Sequence, residues 1–130
     1  MGCNPILESF GNAKTKQNDN SSRFGKLVIL LIEKQKQKIK GAVITNYLLE
    51  KSRIIAQSSN ERDYHYFYML LTQASKEILD SLGLISDPKK YEYVSKSGCY
   101  TAPTWNDKEC YQEVVEAFQV GFFKILLTII

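Results

Sequence analysis

Gly11-Asn12-Ala13-Lys14-Thr15-Lys16-Gln17-Asn18-Asp19-Asn20-Ser21-Ser22-Arg23-Phe24-Gly25-Lys26 sets an amide-rich, hydroxyl-rich, cationic stretch directly ahead of the apolar run Leu27-Val28-Ile29-Leu30-Leu31-Ile32. A continuous apolar run of strand length suggests a strand covered on both faces, with the polar stretch as the loop that feeds it. The loop's chemistry suits a polyphosphate and its metal. Serine oxygens enter a Mg²⁺ shell, asparagine amides donate to phosphate oxygens, and arginine pairs with a carboxylate or phosphate in a planar fork. The same residues also suit a solvated turn, because Asn and Ser side chains bond their own backbone. Composition alone leaves both readings standing.

Beyond Ile32, Glu33–Lys38 reads as a hairpin tip and Ile39–Ile44 as a returning strand, with Gly41 weakening it or marking a bulge. The spacing predicts an antiparallel hairpin over about residues 27–44, two strands of a larger sheet. Upstream, Pro5 suits a first helical turn, and Ile6, Leu7 and Phe10 form a short apolar face ending near Gly11. Downstream, Tyr47-Leu48-Leu49 begins a short element running through Arg53, Ile54 and Ile55. After a turn at Ser58-Ser59-Asn60, Tyr64, Phe67, Tyr68 and Leu71 recur at helical spacing. Ser75–Leu82 predicts another short helix stopped by Gly83. Residues 86–106 read as loop with brief order. Asp107 then caps a helix whose apolar side includes Val114, Val115 and Phe118. Several helices with a hairpin place the chain in the α/β class.

A chain of 130 residues with a net charge of +3 suits one small domain. Lys34, Lys36, Lys38 and Lys40 cluster as on a solvated hairpin tip. A nucleic-acid stripe would be broader and interleaved with stacking aromatics, so no nucleic-acid partner is expected. Cys3, Cys99 and Cys110 are odd in number and lack CxxC spacing, which favours a reducing compartment over a zinc site or disulfide framework. The runs Leu27–Ile32 and Gly121–Ile130 fall short of the ~20 residues a membrane-spanning helix needs. Pro5 and Glu8 interrupt any signal-peptide core, and Ile6 stands where myristoylation wants Ser or Thr. A soluble, cytoplasmic protein is expected.

Other residues have plain structural readings. His65, the one histidine, reads as a packed, hydrogen-bonded ring on an aromatic helix. Tyr64, Tyr66, Phe67 and Tyr68 read as core and rim packing, Glu50 and Arg53 as a helix-face pair, and Cys110 as a structural thiol. Gly11-Asn12-Ala13-Lys14-Thr15 is not a Walker A motif, since Ala13 and Glu8 stand where its glycines belong.

Three ordered segments carry a family likeness. They are Asn4–Thr15 with Asn18–Lys26, then Tyr47-Leu48-Leu49-Glu50-Lys51-Ser52-Arg53, then Glu61-Arg62-Asp63-Tyr64-His65-Tyr66-Phe67-Tyr68. Together they resemble the switch I region of the myosin motor and the segments that follow it. The likeness is close from Asn4 to about Leu71 and looser to Val120; residues 121–130 depart from the pattern. It implies a fragment of a P-loop NTPase-type motor over 1–130, without phosphate loop, switch II, converter or neck.

The resemblance also implies roles. Asn18 resembles the asparagine that contacts the phosphates, and Ser21 the serine beside the γ-phosphate and attacking water. Ser22 is similar to the serine whose hydroxyl joins the Mg²⁺ shell, and Arg23 to the arginine that pairs with a switch II glutamate as the loop closes. Such closure excludes water and aims fixed dipoles at developing charge. ATP and Mg²⁺ are the implied cofactors, actin filaments the implied partner, and the cytoplasmic cytoskeleton (a myosin complex) the implied location, with light chains bound only through the neck. The fragment is expected to be inactive alone. The competing reading is a truncated, noncatalytic binding or scaffolding module whose Leu27–Ile32 strand seeks partner edges.

Overall fold

The apolar run forms the first arm of a long antiparallel hairpin. In the computed structural model, which describes residues 4–129 except position 35, β3 (Phe24–Glu33) pairs with β4 (Lys38–Leu49). Before it come α1 (Asn4–Gly11), β1 (Asn12–Ala13) and β2 (Ser21–Ser22). After it come α2 (Ser52–Ile55), α3 (His65–Gln73), α4 (Lys76–Ser81), a 3₁₀ turn at Pro88–Lys90, α5 (Glu92–Ser95) and α6 (Asp107–Ile129).

The hairpin is longer than the expected 27–44. Its ladder runs from Phe24↔Leu49 to Glu33↔Lys38, so Tyr47–Leu49 complete β4 instead of opening a separate element. Phe24 and Gly25 offer backbone partners to Leu49 and Leu48, and pairing outweighs any local helical preference there. The register shifts between Leu31 and Ile32, leaving Lys40 as the extra residue beside Gly41, which is the bulge that the glycine suggests. Gln37 takes φ 49° in the tip, a left-handed turn conformation.

The expected cover over Leu27–Ile32 is absent among the described residues. These six side chains are between 42% and 61% exposed, and Ile39, Val43 and Leu48 on β4 are similarly open. Among the described residues no helix packs along the middle of the hairpin, and two strands cannot bury both of their own faces. These open apolar side chains are suited to contact with further protein surface.

Burial is concentrated among the helices. Helix α6 packs on α3 and α1, with Val114 and Ala117 buried three residues apart. Val115 and Phe118, expected on the same apolar side, are instead exposed. Tyr68, Leu71 and Val94 form the core cluster with Leu84, Tyr91 and Tyr100 packed around it. Tyr68 satisfies its buried hydroxyl twice, accepting from the Asp63 amide at 2.9 Å and donating to the Val94 carbonyl at 3.0 Å. Helix α4 starts at Ser75, whose hydroxyl accepts the Ile78 amide. It ends as foreseen at Gly83 (φ 65°), where the Leu84 amide donates to the Leu79 carbonyl and the Gly83 amide to the Asp80 carbonyl.

One buried ion pair joins the loop before α3 to α6. Arg62 is fully buried and grips Asp107 with both terminal nitrogens, at 2.8 and 2.6 Å. Its Nη1 also donates to the Tyr100 carbonyl at 3.1 Å, and its guanidinium lies 4.6 Å from the Tyr68 ring centroid. Asp107 is therefore not the cap expected from sequence. Asn106 caps α6, its side-chain oxygen accepting the Lys108 and Glu109 amides at 3.1 and 3.3 Å.

The two neighbouring residues should differ sharply on substitution. Asp107→Ala strands a buried guanidinium and is expected to cost about 3–5 kcal/mol. Asn106→Ala removes a cap and is expected to cost about 1 kcal/mol. Urea unfolding followed by circular dichroism measures both, and the reverse order would contradict the assignment.

Candidate functional site

The loop Lys14–Asn20 is closed at its base by a two-residue ribbon. Asn12 pairs with Ser22 and Ala13 with Ser21, and the Arg23 amide donates to the Gly11 carbonyl at 2.8 Å. Phe24 rests so closely on Gly11 that a Cβ there would intrude on its ring, so the backbone approach at the ribbon requires glycine. Inside the loop, the Thr15 amide donates to the Asn18 carbonyl at 2.8 Å, and Asn18 Oδ1 accepts the Asn20 amide at 2.8 Å. That Asx-type turn occupies the Asn18 oxygen. Among the described residues its amide NH₂ makes no hydrogen bond.

Asn18, Ser21 and Arg23 converge on one open cleft of about 520 Å³, with Thr15, Lys16 and Glu61 also on its walls. Ser22 does not line it. Successive strand residues face opposite ways, and the Ser22 hydroxyl donates to the Phe24 carbonyl at 3.1 Å. Three of the four sequence-predicted residues are thus brought together, and Ser22 lies alongside them, exposed.

The back of the cleft is an ion network. Arg23 Nε donates to Glu50 Oε2 at 2.7 Å, and its Nη1 lies 3.4 Å from the Ser21 hydroxyl oxygen. Arg53 Nε donates to the same Glu50 oxygen at 2.7 Å, and Arg53 Nη1 reaches Glu61 Oε2 at 3.1 Å. The hydrogen bond from Arg23 holds the Glu50 carboxyl below its ordinary range, against its partial burial. The same bond raises the Arg23 pKa. Glu50–Arg53 is the pair read from sequence, but Arg53 is buried and its partner is shared with the loop.

Beneath the loop runs a second, neutral path. Asn20 Oδ1 accepts from Asn12 Nδ2 at 3.0 Å and lies 3.2 Å from His65 Nε2. His65 Nδ1 lies 2.9 Å from Arg62 Nη2. A guanidinium only donates, so Nδ1 is the acceptor and Nε2 carries the proton that goes to Asn20. The ring is fully buried and stacks on Trp105 at 4.3 Å between centroids. Burial first, then Arg62, pushes its pKa down to about 3. His65 is the packed histidine the sequence indicates. Lys14 is turned away from the cleft as well: it is buried and its Nζ donates to the Asn60 carbonyl at 2.7 Å.

Sequence reasoning missed Arg62, Glu61 and Thr104 as supports of this loop. They reach it from 45 to 85 residues away, and no local pattern encodes those meetings. Cys110 is a free thiol pushed up to about 11 by burial and nearby carboxylates, in keeping with a structural role; Cys3 lies outside the described residues. Among the described residues, no three His, Cys, Asp or Glu side chains gather as a metal site, and no helix is long and apolar enough to cross a membrane.

Comparison with known proteins gives a consistent result. The profile of the family described as myosin head (motor domain) matches residues 1–125. The chain is 51% identical over 116 residues to the myosin-I heavy chain of Dictyostelium discoideum, a match covering 89% of this chain and 5% of that protein. It is 45% identical over 120 residues to myosin-1 of Coccidioides immitis, covering 92% of this chain and 9% of that protein. Myosin-J heavy chain of Dictyostelium discoideum is 48% identical over 117 residues, covering 90% of this chain and 5% of that protein. The chain therefore spans about a tenth or less of the length of these relatives.

The buried histidine has a clear pH signature. Its folded pKa lies below the ordinary 6.5, so its contribution to stability is complete above pH 6.5 and is lost as pH falls toward about 3. Asp63 opposes it: burial lifts its carboxyl to about 6, so its unfavourable contribution is relieved as pH falls from about 6 toward 3.8. In ¹⁵N-detected NMR, His65 should remain the Nε2–H tautomer from pH 8 to pH 5. A titration centred near 6.5 would contradict the network.

Proposed function

The chain belongs to the myosin head (motor domain) family, and on that premise we propose that it supplies the switch I wall of the nucleotide pocket in a Mg²⁺-dependent ATPase moving along actin filaments. The convergence of Asn18, Ser21 and Arg23 on one polar cleft carries this reading.

The residues present suit Mg-ATP. Asn18 has its oxygen engaged and its NH₂ donors free, which fits a phosphate neighbour. Ser21 stands beside Arg23, where its hydroxyl positions the terminal phosphate and the water that attacks it. Ser22 lies beside the cleft with its hydroxyl donating to the Phe24 carbonyl, and its oxygen lone pairs would hold the ion only if the loop turned that hydroxyl toward the phosphates. The acidic groups at the cleft do not oppose the anion, because Glu50 and Glu61 are both paired with arginines. Bound Mg²⁺ would neutralise charge on the phosphate oxygens.

Arg23 has two tasks. Glu50 occupies its Nε, leaving donors on the terminal nitrogens for a second carboxylate. In the closed loop that carboxylate is the switch II glutamate, and the pairing couples loop closure to a second moving element. The actin-filament partner, the cytoskeletal location in the cytoplasm and any light chains on a neck belong to the whole motor.

One wall of a pocket binds weakly and does not turn over. Titrating the ¹⁵N-labelled chain with Mg-ATP should shift amides between Thr15 and Arg23, with Arg23→Ala weakening the response by roughly tenfold, as expected for a charge-assisted hydrogen bond. Steady-state assays should find no hydrolysis. Shifts confined to the lysine-rich tip would overturn the site, and turnover abolished by Arg23→Ala would overturn the single-wall reading.

A further inference from the structure

The candidate loop is tied down at two successive residues by unrelated parts of the fold. Asn20 is held from below by His65 and Asn12. Asp19, one residue earlier, is held from the side by Thr104, which lies 85 positions away in the segment that opens α6. Both donors of Thr104 go to the same carboxylate oxygen: its amide to Asp19 Oδ2 at 2.8 Å and its hydroxyl at 3.0 Å. The other oxygen faces Lys14 at 3.7 Å. We propose that Thr104 is a positioning residue for the nucleotide loop, clamping Asp19 to the start of α6 and so fixing where Asn18 and Ser21 stand in the cleft.

The geometry favours a clamp over an incidental surface contact. Two donors converging on one ionised oxygen give the stronger, charge-assisted class of hydrogen bond. The Asp19 side chain is only 15% exposed, and its carboxyl is held below the usual range chiefly by the Thr104 amide. Asp19 is also the only residue between Asn18, whose amide NH₂ is free for a ligand, and Asn20, the fixed anchor. Releasing it leaves Asn18 joined to that anchor by its own side-chain turn and otherwise bonded only to Thr15, within the same loop. The neighbours of Thr104 explain why it can hold firm. Trp105 is stacked on His65, and Asn106 caps α6. Thr104 thus stands on the same rigid segment that grips Arg62 through Asp107.

The effect on binding rests on the nucleotide reading given above; the clamp itself does not. Thr104→Val keeps the side-chain shape and removes the hydroxyl donor, whereas Thr104→Ser keeps the donor. Amide hydrogen exchange of the intact chain should show the Thr15, Asn18 and Asn20 amides exchanging roughly five- to tenfold faster in Thr104→Val and unchanged in Thr104→Ser. Mg-ATP titration should weaken by a similar factor in the valine variant alone. Asp19→Ala, which removes the oxygen that both donors share, should loosen the same amides at least as much as Thr104→Val. Equal exchange in all four proteins, or a serine variant as loose as the valine one, overturns the clamp. If the wild-type chain shows no Mg-ATP response, the nucleotide reading fails while a valine-specific loosening still upholds the clamp. If Mg-ATP binds and exchange is unchanged, the clamp fails and the nucleotide reading stands.

Discussion

A fully buried guanidinium is the constraint on which the helical part of this chain is organised. Taking Arg62 out of water costs several kcal/mol, which only a nearly complete set of partners offsets. Asp107 provides a bidentate carboxylate, Tyr100 a carbonyl, His65 a ring nitrogen and Tyr68 an aromatic face. These partners come from different stretches, so satisfying one side chain brings together the start of α3, the segment after α5 and the start of α6. Asp107 also sits in the first turn of α6, where the helix dipole favours negative charge. The network further dictates the state of its histidine. A protonated His65 would present an N–H to a guanidinium that can only donate, so the ring remains neutral and its other nitrogen points its proton at the loop.

That last hydrogen bond connects packing to the proposed chemistry. The loop is anchored at Asp19 and Asn20 on a rigid base, while Asn18, Ser21 and Arg23 face an open cleft. A lid that must meet a phosphate needs both properties: an immobile foot, so that closure is reproducible, and free donors at its edge. Arg23 bridges the two regimes. It is bonded to Glu50 at the back of the cleft and retains donors for another carboxylate. The hairpin behaves differently. Its residues Leu27–Ile32, Ile39, Val43 and Leu48 are open, and register shifts near Gly25 and Gly41 interrupt a ladder that has no cover of its own among the described residues.

The sequence is legible where local rules dominate. The apolar run, the lysine-rich tip, the Gly83 stop and the aromatic helix all follow from periodicity and turn chemistry, and the structure contains each of them. The extent of β4 was not legible, because Tyr47–Leu49 form a strand only by pairing with Phe24 and Gly25 across the hairpin. Burial of Leu27–Ile32 was expected from its apolar continuity; such a pattern reports what a strand is suited to contact, not what this chain places beside it. Asp107 looked like a cap because Asp is a good one, yet Asn106 stands one residue earlier and Arg62 claims the carboxylate. The roles of Asn18, Ser21, Ser22 and Arg23 come from family resemblance, since an Asn/Ser loop on chemistry alone is more often a solvated turn. What supports that loop could not be read at all. Arg62–Asp107, His65–Asn20 and Asp19–Thr104 are meetings over 45 residues or more that only the fold creates.

The central claim is that the buried arginine network steadies the foot of the candidate loop through the neutral His65 imidazole. His65→Phe tests it directly, because the ring keeps its stacking on Trp105 and loses both hydrogen bonds. Amide exchange measured residue by residue should show lost protection at Asn20 and Arg23, with the β3–β4 ladder unchanged. Full protection of the loop in that variant would show that the foot stands without the histidine and would contradict the claim.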